Sequence, residues 1–343
     1  MTDSVVRVGV IGCGGIAQHA HLPSIQRTPR AKLMAVCDPY PDVAREVARV
    51  NGLQQADAYA EHAPILARQD VDAVTICAPT TQHAAITVEA LRAGKHVLVE
   101  KPMAVTSDEA RTMTAAAEAA GRTLMVGYNH SYDPAARHVK EMLAAGDLGE
   151  ILYAEIFFYE DLYSWTAGAL SRTIRAKDQK SFWPVYDNAY ENLREFIHNF
   201  DSHVLNLMRL LLGEPRGLDY CHWNDAAGLW AMFDYGTFKT GFKNVRLKQH
   251  RFEKGIEICG RKKRVRLSLA PPMERYTPGR VEVIDVEKNT VCEPFLGWQW
   301  PFELEHEHFL DCVLGGKEPL TSGRQALGDV VLAETMARKA VGG

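Results

Sequence analysis

From Val5 to about Gly127, short apolar runs alternate with stretches of helical periodicity: VRVGVI then 15–28, KLMAVCD then 41–50, VDAVTICAP then 82–93, HVLVE then 107–120, and finally TLMVGY. Runs that read as continuous Val, Ile and Leu are buried on both faces, which requires a parallel sheet covered by helices. This half is expected to be a doubly wound α/β domain. After a helical stretch at 134–145 the pattern changes. EILYAEIFFYE, GLDYCHWN, GLWAMFDY, TFKTGFKNVRLKQ, KGIEICG and RVEVIDVEK are strand-like, several alternate in polarity, and glycine-containing turns separate them. That pattern indicates a large, mostly antiparallel open sheet. One strong helix is expected within it, at 191–212, and the C-terminal FELEHEHFLDCVLGG and GRQALGDVVLAETMARKA return to helical periodicity. A chain of 343 residues suits two domains. They are expected at 1–127 and 128–343, with C-terminal helices able to pack back on the first.

Composition narrows the class. With 46% apolar and 24% charged residues the chain reads as an ordinary soluble globular protein. A formal charge of −4 offers no positive field to track phosphates, so nucleic acid is not expected as a partner. RKKR, Arg261 to Arg264, lies between two β-like runs and reads as a solvated hairpin turn. Seven cysteines without a CxxC pair suggest neither a disulfide framework nor a zinc site, which fits a reducing compartment. MTDSVVRVGVIGCGG lacks the layout of a signal peptide, and no apolar run is long enough to span a bilayer. A cytoplasmic location with no membrane partner is expected.

VRVGVIGCGGIAQHA places Gly12, Gly14 and Ala17 in G-x-G-x-x-A spacing at a strand-to-helix turn. Gly12 permits the tight turn, Gly14 lets backbone approach a pyrophosphate, and Ala17 lets helix pack on strand. The backbone through Gly15 and Ile16 then offers helix N-terminal N–H groups to an anion. Asp38 ends the second strand, 26 residues after Gly12. An acid there accepts both ribose hydroxyls and repels a 2′-phosphate, so NAD is preferred to NADP. The alternative is that Asp38, followed by Pro39, merely caps the next helix, where that pair is also at home, and the two roles can coexist.

APTTQHAAITVEALRAGKHVLVEKPMAVTSDEA, LMVGYNHSYDPAARHVKEML and the C-terminal GGKEPLTSGRQALGDVVLAETM carry a family resemblance. The chain resembles the Gfo/Idh/MocA oxidoreductases, the glucose-fructose oxidoreductase and inositol dehydrogenase group. The resemblance implies a Rossmann domain followed by an α/β domain with an open sheet, assembled through that sheet as a dimer or tetramer. It implies oxidation of a secondary alcohol, or reduction of a ketone, on a sugar, cyclitol or similar polyol with NAD(P).

Such chemistry needs a proton carrier within hydrogen-bond reach of the reacting oxygen. On the resemblance, that carrier is Lys101 of the Glu100-Lys101-Pro102 motif, at the carboxyl edge of the sheet where ligands of such sheets bind. A positive nicotinamide and partial burial both lower a lysine's pKa toward usefulness, and Glu100 shapes the site. A cis peptide before Pro102 is expected. Pro79, Thr80, Gln82 and His83 fall where the family carries a cofactor-lining P-N-x-x-H segment, with Thr80 in place of Asn. Tyr128 and Asn129 are expected to reach nicotinamide or substrate.

The stretch IHNFDSHVLNLMRLLLGEP contains His198, Asp201 and His203. Aligned backward from LMRLLLGEP, His203 takes the place of the family histidine, and Asn199 stands where relatives carry aspartate. On a regular helix Asn199 and His203 share a face, and Asp201 points roughly the opposite way. Asn199 can orient the imidazole or bind a sugar hydroxyl but cannot stabilise a cation as a carboxylate does. His203 is then the weaker base and Lys101 more clearly the proton carrier, while His198 reads as a surface or hinge residue. Trp165, Trp183 and Tyr186, in the insert before this helix, are candidate walls for a sugar face, or else a loop packing on itself. EHEH at 305–308 suggests metal, but His306 and His308, two apart on a helix, diverge, so none is expected.

The reading is an NAD-dependent dehydrogenase or reductase. One alternative is an enzyme that retains NAD and uses transient oxidation for elimination or glycoside cleavage; another is a non-catalytic cofactor-binding regulator.

Overall fold

A computed structural model describes residues 5–160, 172–178, 186–247 and 252–342. The chain folds as two compact units: Met1–Tyr128 with Ala169–Val185 and Phe302–Val331, and Asn129–Gly168 with Tyr186–Pro301 and Leu332–Gly343.

The first unit is a six-stranded sheet in the order β3-β2-β1-β4-β5-β6, parallel throughout. Its strands are β1 (Val6–Ile11), β2 (Ala31–Cys37), β3 (Ala58–Tyr59), β4 (Ala73–Ile76), β5 (His96–Glu100) and β6 (Leu124–Gly127). The apolar runs form the strands because both faces are covered. Val10, Val74, Ile76 and Leu98 are fully buried, with helices α1 (Leu22–Arg27), α2 (Pro41–Val50), α3 (Ala63–Ala67), α4 (Thr80–Arg92) and α5 (Ser107–Ala120) between the strands. α5 starts where Thr106 and Glu109 close a capping box and stops at Gly121, whose φ of +59° favours glycine. Strand order reverses between β1 and β4, which opens a crevice at the carboxyl ends of the strands.

The edge of β6 is closed by chain almost 200 residues away. Between α9 (Pro301–Gly315) and α10 (Gly323–Gly342), Val126 N–H donates to the Thr321 carbonyl (2.9 Å) and the Thr321 hydroxyl donates to the Val126 carbonyl (2.7 Å). Ala326 and Val330 of α10 complete the core beside Met103, Leu124 and Val126.

The second unit is an eight-stranded sheet in the order β14-β13-β12-β11-β7-β10-β9-β8, antiparallel except between β7 (Ile151–Glu160) and β10 (Lys239–Arg246). The others are β8 (Gly217–Asn224), β9 (Gly228–Asp234), β11 (Glu253–Gly260), β12 (Lys263–Ser268), β13 (Arg280–Asp285) and β14 (Thr290–Cys292). Alternation in β7 sends Ala154, Ile156 and Phe158 to one face, buried, and Tyr153 and Glu155 to the other, where Glu155 pairs with Lys243 at 2.8 Å. The buried face is covered by α6 (Pro134–Ala144), α7 (Ala189–Phe196) and α8 (Ser202–Leu212) through Val139, Leu193, Leu205 and Met208. Arg261 and Lys262 turn β11 into β12, so the basic cluster is a hairpin turn running into a strand.

The expected single helix at 191–212 is interrupted. A π-helical turn, Ile197–Asp201, separates α7 from α8. An i→i+5 turn holds an extra residue, so the four-residue face rule does not carry across it. No helix among the described residues is long and apolar enough to cross a membrane.

Candidate functional site

The glycine turn is fixed by sterics. Gly12 has a φ of +91°, and a Cβ there would lie 2.6 Å from the Cys77 carbonyl carbon and oxygen and 2.8 Å from the Ala78 nitrogen. Only glycine lets β1 pass this close to the end of β4. A Cβ on Gly14 would meet nothing within 4 Å, so this stretch of backbone faces open space, as a cradle for a pyrophosphate must. Gly15 and Ile16 lead into a π-helical turn, Ala17–His21, where Ala17 is fully buried. Asp38 is tied to the same turn: Cys13 N–H donates to its Oδ2 and Tyr40 N–H to its Oδ1, both at 3.0 Å. The next helix has Tyr40 as its N-cap and no side-chain cap, so Asp38 does not cap it as the alternative expected, and each Asp38 oxygen keeps lone-pair capacity for a ribose hydroxyl.

Two further contacts escaped sequence reasoning. The Gln18 carboxamide donates to the Cys13 and Ile174 carbonyls (2.6 and 2.9 Å) and accepts from Ile174 N–H (2.9 Å), and His19 meets the Thr173 hydroxyl at 3.0 Å. Part of the insert thus lies against the start of this helix. Pro79 and Thr80 begin α4. His83 is buried, its ring nitrogens 2.8 Å from the Pro102 and Ala78 carbonyls. Burial lowers its pKa, against the pull of those two carbonyls. His83 ties the loop after β4 to the loop after β5.

Glu100 ends β5, buried, and its Oε2 accepts Lys101 N–H at 2.9 Å while Oε1 lies 2.8 Å from His21 Nε2. Burial pushes this carboxyl up, but the His21 hydrogen bond and the charges of His21 and Lys101 outweigh it and hold the group below its ordinary value. His21 Nδ1 in turn lies 2.9 Å from His306 Nε2 of α9. His308 instead accepts from Leu320 N–H at 3.0 Å, so the two histidines of EHEH serve different places. Lys101 is half-buried and the bond to Pro102 is cis. Tyr128 is buried.

In the second unit Asn129 is fully buried, and neither carboxamide atom has a hydrogen-bond partner among the described residues. Next to it, the His130 ring packs edge-on to His203, with centroids 5.0 Å apart, and the Ser131 hydroxyl donates to Asn206 at 2.7 Å. His203 is half-buried. Asn199 Nδ2 donates to the Glu195 carbonyl and carboxylate at 2.9 and 2.7 Å, so its amide is directed back along its own helix. Asp201 is fully buried, accepting from Asn244 Nδ2 at 2.6 Å. His198 is buried too, which corrects its reading as a surface residue: the extra residue of the π turn rolls it into the unit. Tyr186 exchanges hydrogen bonds with Asn192 and lies 5.9 Å from the Arg194 guanidinium. Trp165 and Trp183 fall outside the described residues.

A doubly wound parallel sheet, a glycine turn at its switch point and an acid closing the second strand define a dinucleotide-binding α/β protein. Residues 6–128 match the profile of the Gfo/Idh/MocA oxidoreductase family, a family with an NAD-binding Rossmann fold. It is 37% identical over 146 residues to dTDP-3,4-didehydro-2,6-dideoxy-alpha-D-glucose 3-reductase of Actinomadura kijaniata, 43% of each chain. To D-glucoside 3-dehydrogenase of Escherichia coli it is 33% identical over 215 residues, 63% of this chain and 56% of the relative. The chain thus spans between two fifths and three fifths of these relatives' lengths. In structure it is similar to KijD10, a 3-ketoreductase from Actinomadura kijaniata solved with NADP and TDP-benzene, with a TM-score of 0.76, 25% identity and 98% of each chain covered.

Proposed function

We propose that the protein is an NAD(P)-dependent oxidoreductase that interconverts a secondary alcohol and a ketone on a sugar, cyclitol or related polyol, with NAD preferred. The observation that carries the reading is Lys101, half-buried at the carboxyl end of the parallel sheet and anchored through its own N–H to the Glu100 carboxylate. A bound nicotinamide supplies the hydride acceptor in oxidation and the hydride donor in reduction. Gly12 to Ala17 and Asp38 hold the dinucleotide, with Pro79, Thr80, His83 and Asn129 assigned to its lining. Lys101 takes the hydroxyl proton in oxidation and returns it in reduction. His203 and Asn199 are assigned to substrate hydroxyls, together with Tyr128 and Tyr186. Assembly as a dimer or tetramer through the open face of the eight-stranded sheet completes the proposal.

The test is a turnover panel of inositols, aldoses, amino sugars and glycosides with NAD or NADP, followed by nicotinamide absorbance. Reduction by one polyol class supports the reading. Glycoside cleavage without added NAD, or no turnover in either direction with matched ketones, refutes it.

The NAD preference rests on Asp38. Asp38→Asn removes the charge that repels a 2′-phosphate while keeping an acceptor for one backbone N–H. The ratio of NADP to NAD affinity is expected to rise by about tenfold, a gain on the order of 1.4 kcal/mol. Equal ratios in wild type and variant, measured by fluorescence titration, would remove Asp38 as the selector.

A further inference from the structure

α9 buries two consecutive titratable residues that the proposed chemistry does not use. His306 is 3% exposed and Glu305 is 0% exposed. His306 meets His21, His21 meets Glu100, and Glu100 accepts the N–H of Lys101, a chain of contacts at 2.9, 2.8 and 2.9 Å. A carboxylate only accepts, so His21 Nε2 carries the proton that it shares with Glu100. The Phe302 ring packs edge-on to His21 with centroids 5.7 Å apart, and Gly127 backs the Glu100 carboxyl, where a Cβ would come within 3.4 Å. These neighbours pack against the imidazole and the carboxylate.

We propose that His306 is a positioning residue for the Glu100-Lys101 turn: by holding His21 against Glu100 it sets the field that the carboxylate exerts on the Lys101 ammonium. The kinetic meaning of this role rests on Lys101 being the proton carrier; the hydrogen-bonded chain itself does not. His306 is neutral, because burial and then His21 push it well below the ordinary histidine value. His306 Nε2 and His21 Nδ1 share one hydrogen bond, and His21 donates Nε2–H to Glu100, so the imidazole is held between α9 and the carboxylate. Glu305 faces the same layer, and among the described residues neither of its oxygens has a hydrogen-bond partner. Burial, reinforced by Glu100, raises its pKa well above the ordinary carboxyl value. Among the described residues, the other titratable groups facing the layer are Cys13 on the glycine turn, Cys77 after β4, His83 on α4 and Lys101. Burial holds both thiols protonated. The Glu100 carboxylate therefore faces Lys101 while hydrogen-bonded to an imidazole that α9 holds in place.

Without His306, His21 loses its outer partner and shields Glu100 less, so the carboxylate favours the ammonium more strongly and Lys101 titrates at higher pH. The test needs no substrate. Trace acetic anhydride labels neutral amines, and peptide mass spectrometry reads Lys101 acetylation against pH in the intact protein. His306→Leu is expected to lower Lys101 acetylation at about pH 8 by roughly threefold or more, a shift of at least about half a pKa unit. His306→Gln places a carboxamide, which can donate or accept, near the lost Nε2 and is expected to restore it. Infrared spectra should show the carbonyl stretch of a neutral carboxylic acid at neutral pH that Glu305→Gln removes. Identical Lys101 titrations in wild type and both His306 variants, with unchanged melting, overturn the proposal. So does an equal shift in the Leu and Gln variants, which marks mere packing. If instead Lys101→Ala turns over normally, the assignment of Lys101 as proton carrier fails while the labelling result still decides the role of His306.

Discussion

Lys101→Ala is expected to lower kcat for polyol oxidation by about 10²- to 10⁴-fold, the range for losing a positioned proton carrier, while the dissociation constant for NAD stays within a few-fold. The split follows from the geometry. The anchors of the turn are the Lys101 N–H and the Glu100 carboxylate, which alanine leaves in place, and the glycine turn and Asp38 are built from other residues. Only the amine is removed. Lys101→Arg is expected to rescue little, because a guanidinium stays protonated at every working pH and cannot accept the hydroxyl proton. Stopped-flow turnover beside calorimetric NAD binding reads both arms. A Lys101→Ala enzyme with unchanged kcat would move the proton to another group, and one that fails to bind NAD would make Lys101 a cofactor ligand only.

The second large effect concerns two glycines two residues apart. Gly12→Ala forces a Cβ to 2.6 Å from the backbone of Cys77 at a φ of +91°. Strain of this kind costs about 1–3 kcal/mol before any overlap is relieved, and the relief must displace β4 or the turn itself. A lower melting temperature and at least about 100-fold weaker NAD binding are expected, a loss of about 2.7 kcal/mol. Gly14→Ala meets open space in the protein, so its melting temperature is expected to match wild type. Its methyl group nevertheless occupies the direction from which a pyrophosphate approaches, so NAD binding is expected to weaken by a similar factor. Normal NAD binding by a stable Gly14→Ala protein would show that the anion sits elsewhere.

How far the sequence could be read depended on the range of the forces involved. The parallel sheet was legible because runs such as AVTI and HVLVE have only one way to be buried on both faces, and each is a strand. The open sheet was legible from alternation, as in EILYAEIFFYE, although the three-residue β14 is too short to leave a period. The glycine turn was legible because spacing along the chain defines it, and Gly12 takes the positive φ there while Cys13 N–H meets Asp38. The helix at 191–212 was harder. Nothing in IHNFD announces an i→i+5 turn, and a regular-helix argument could not place Asn199, Asp201 and His198: the amide of Asn199 turns to Glu195 and Asp201 meets Asn244 only once the tertiary packing is in place. His21 and His306 lie 285 residues apart, so their contact is a property of the fold alone. EHEH gave a signal, but a pattern search could only ask about metal.

The strand-like clasp of Thr321 on Val126 also bears on how the protein is made. Until the ribosome has passed Val330, β6 has a bare edge and the core around Met103 and Leu124 lacks Ala326 and Val330. A nascent chain of about 128 residues therefore holds every strand of the six-stranded sheet yet cannot finish its first unit. Most of the second unit's sequence emerges before the missing piece arrives, so this edge is a point where an incomplete chain is open to pairing with another strand.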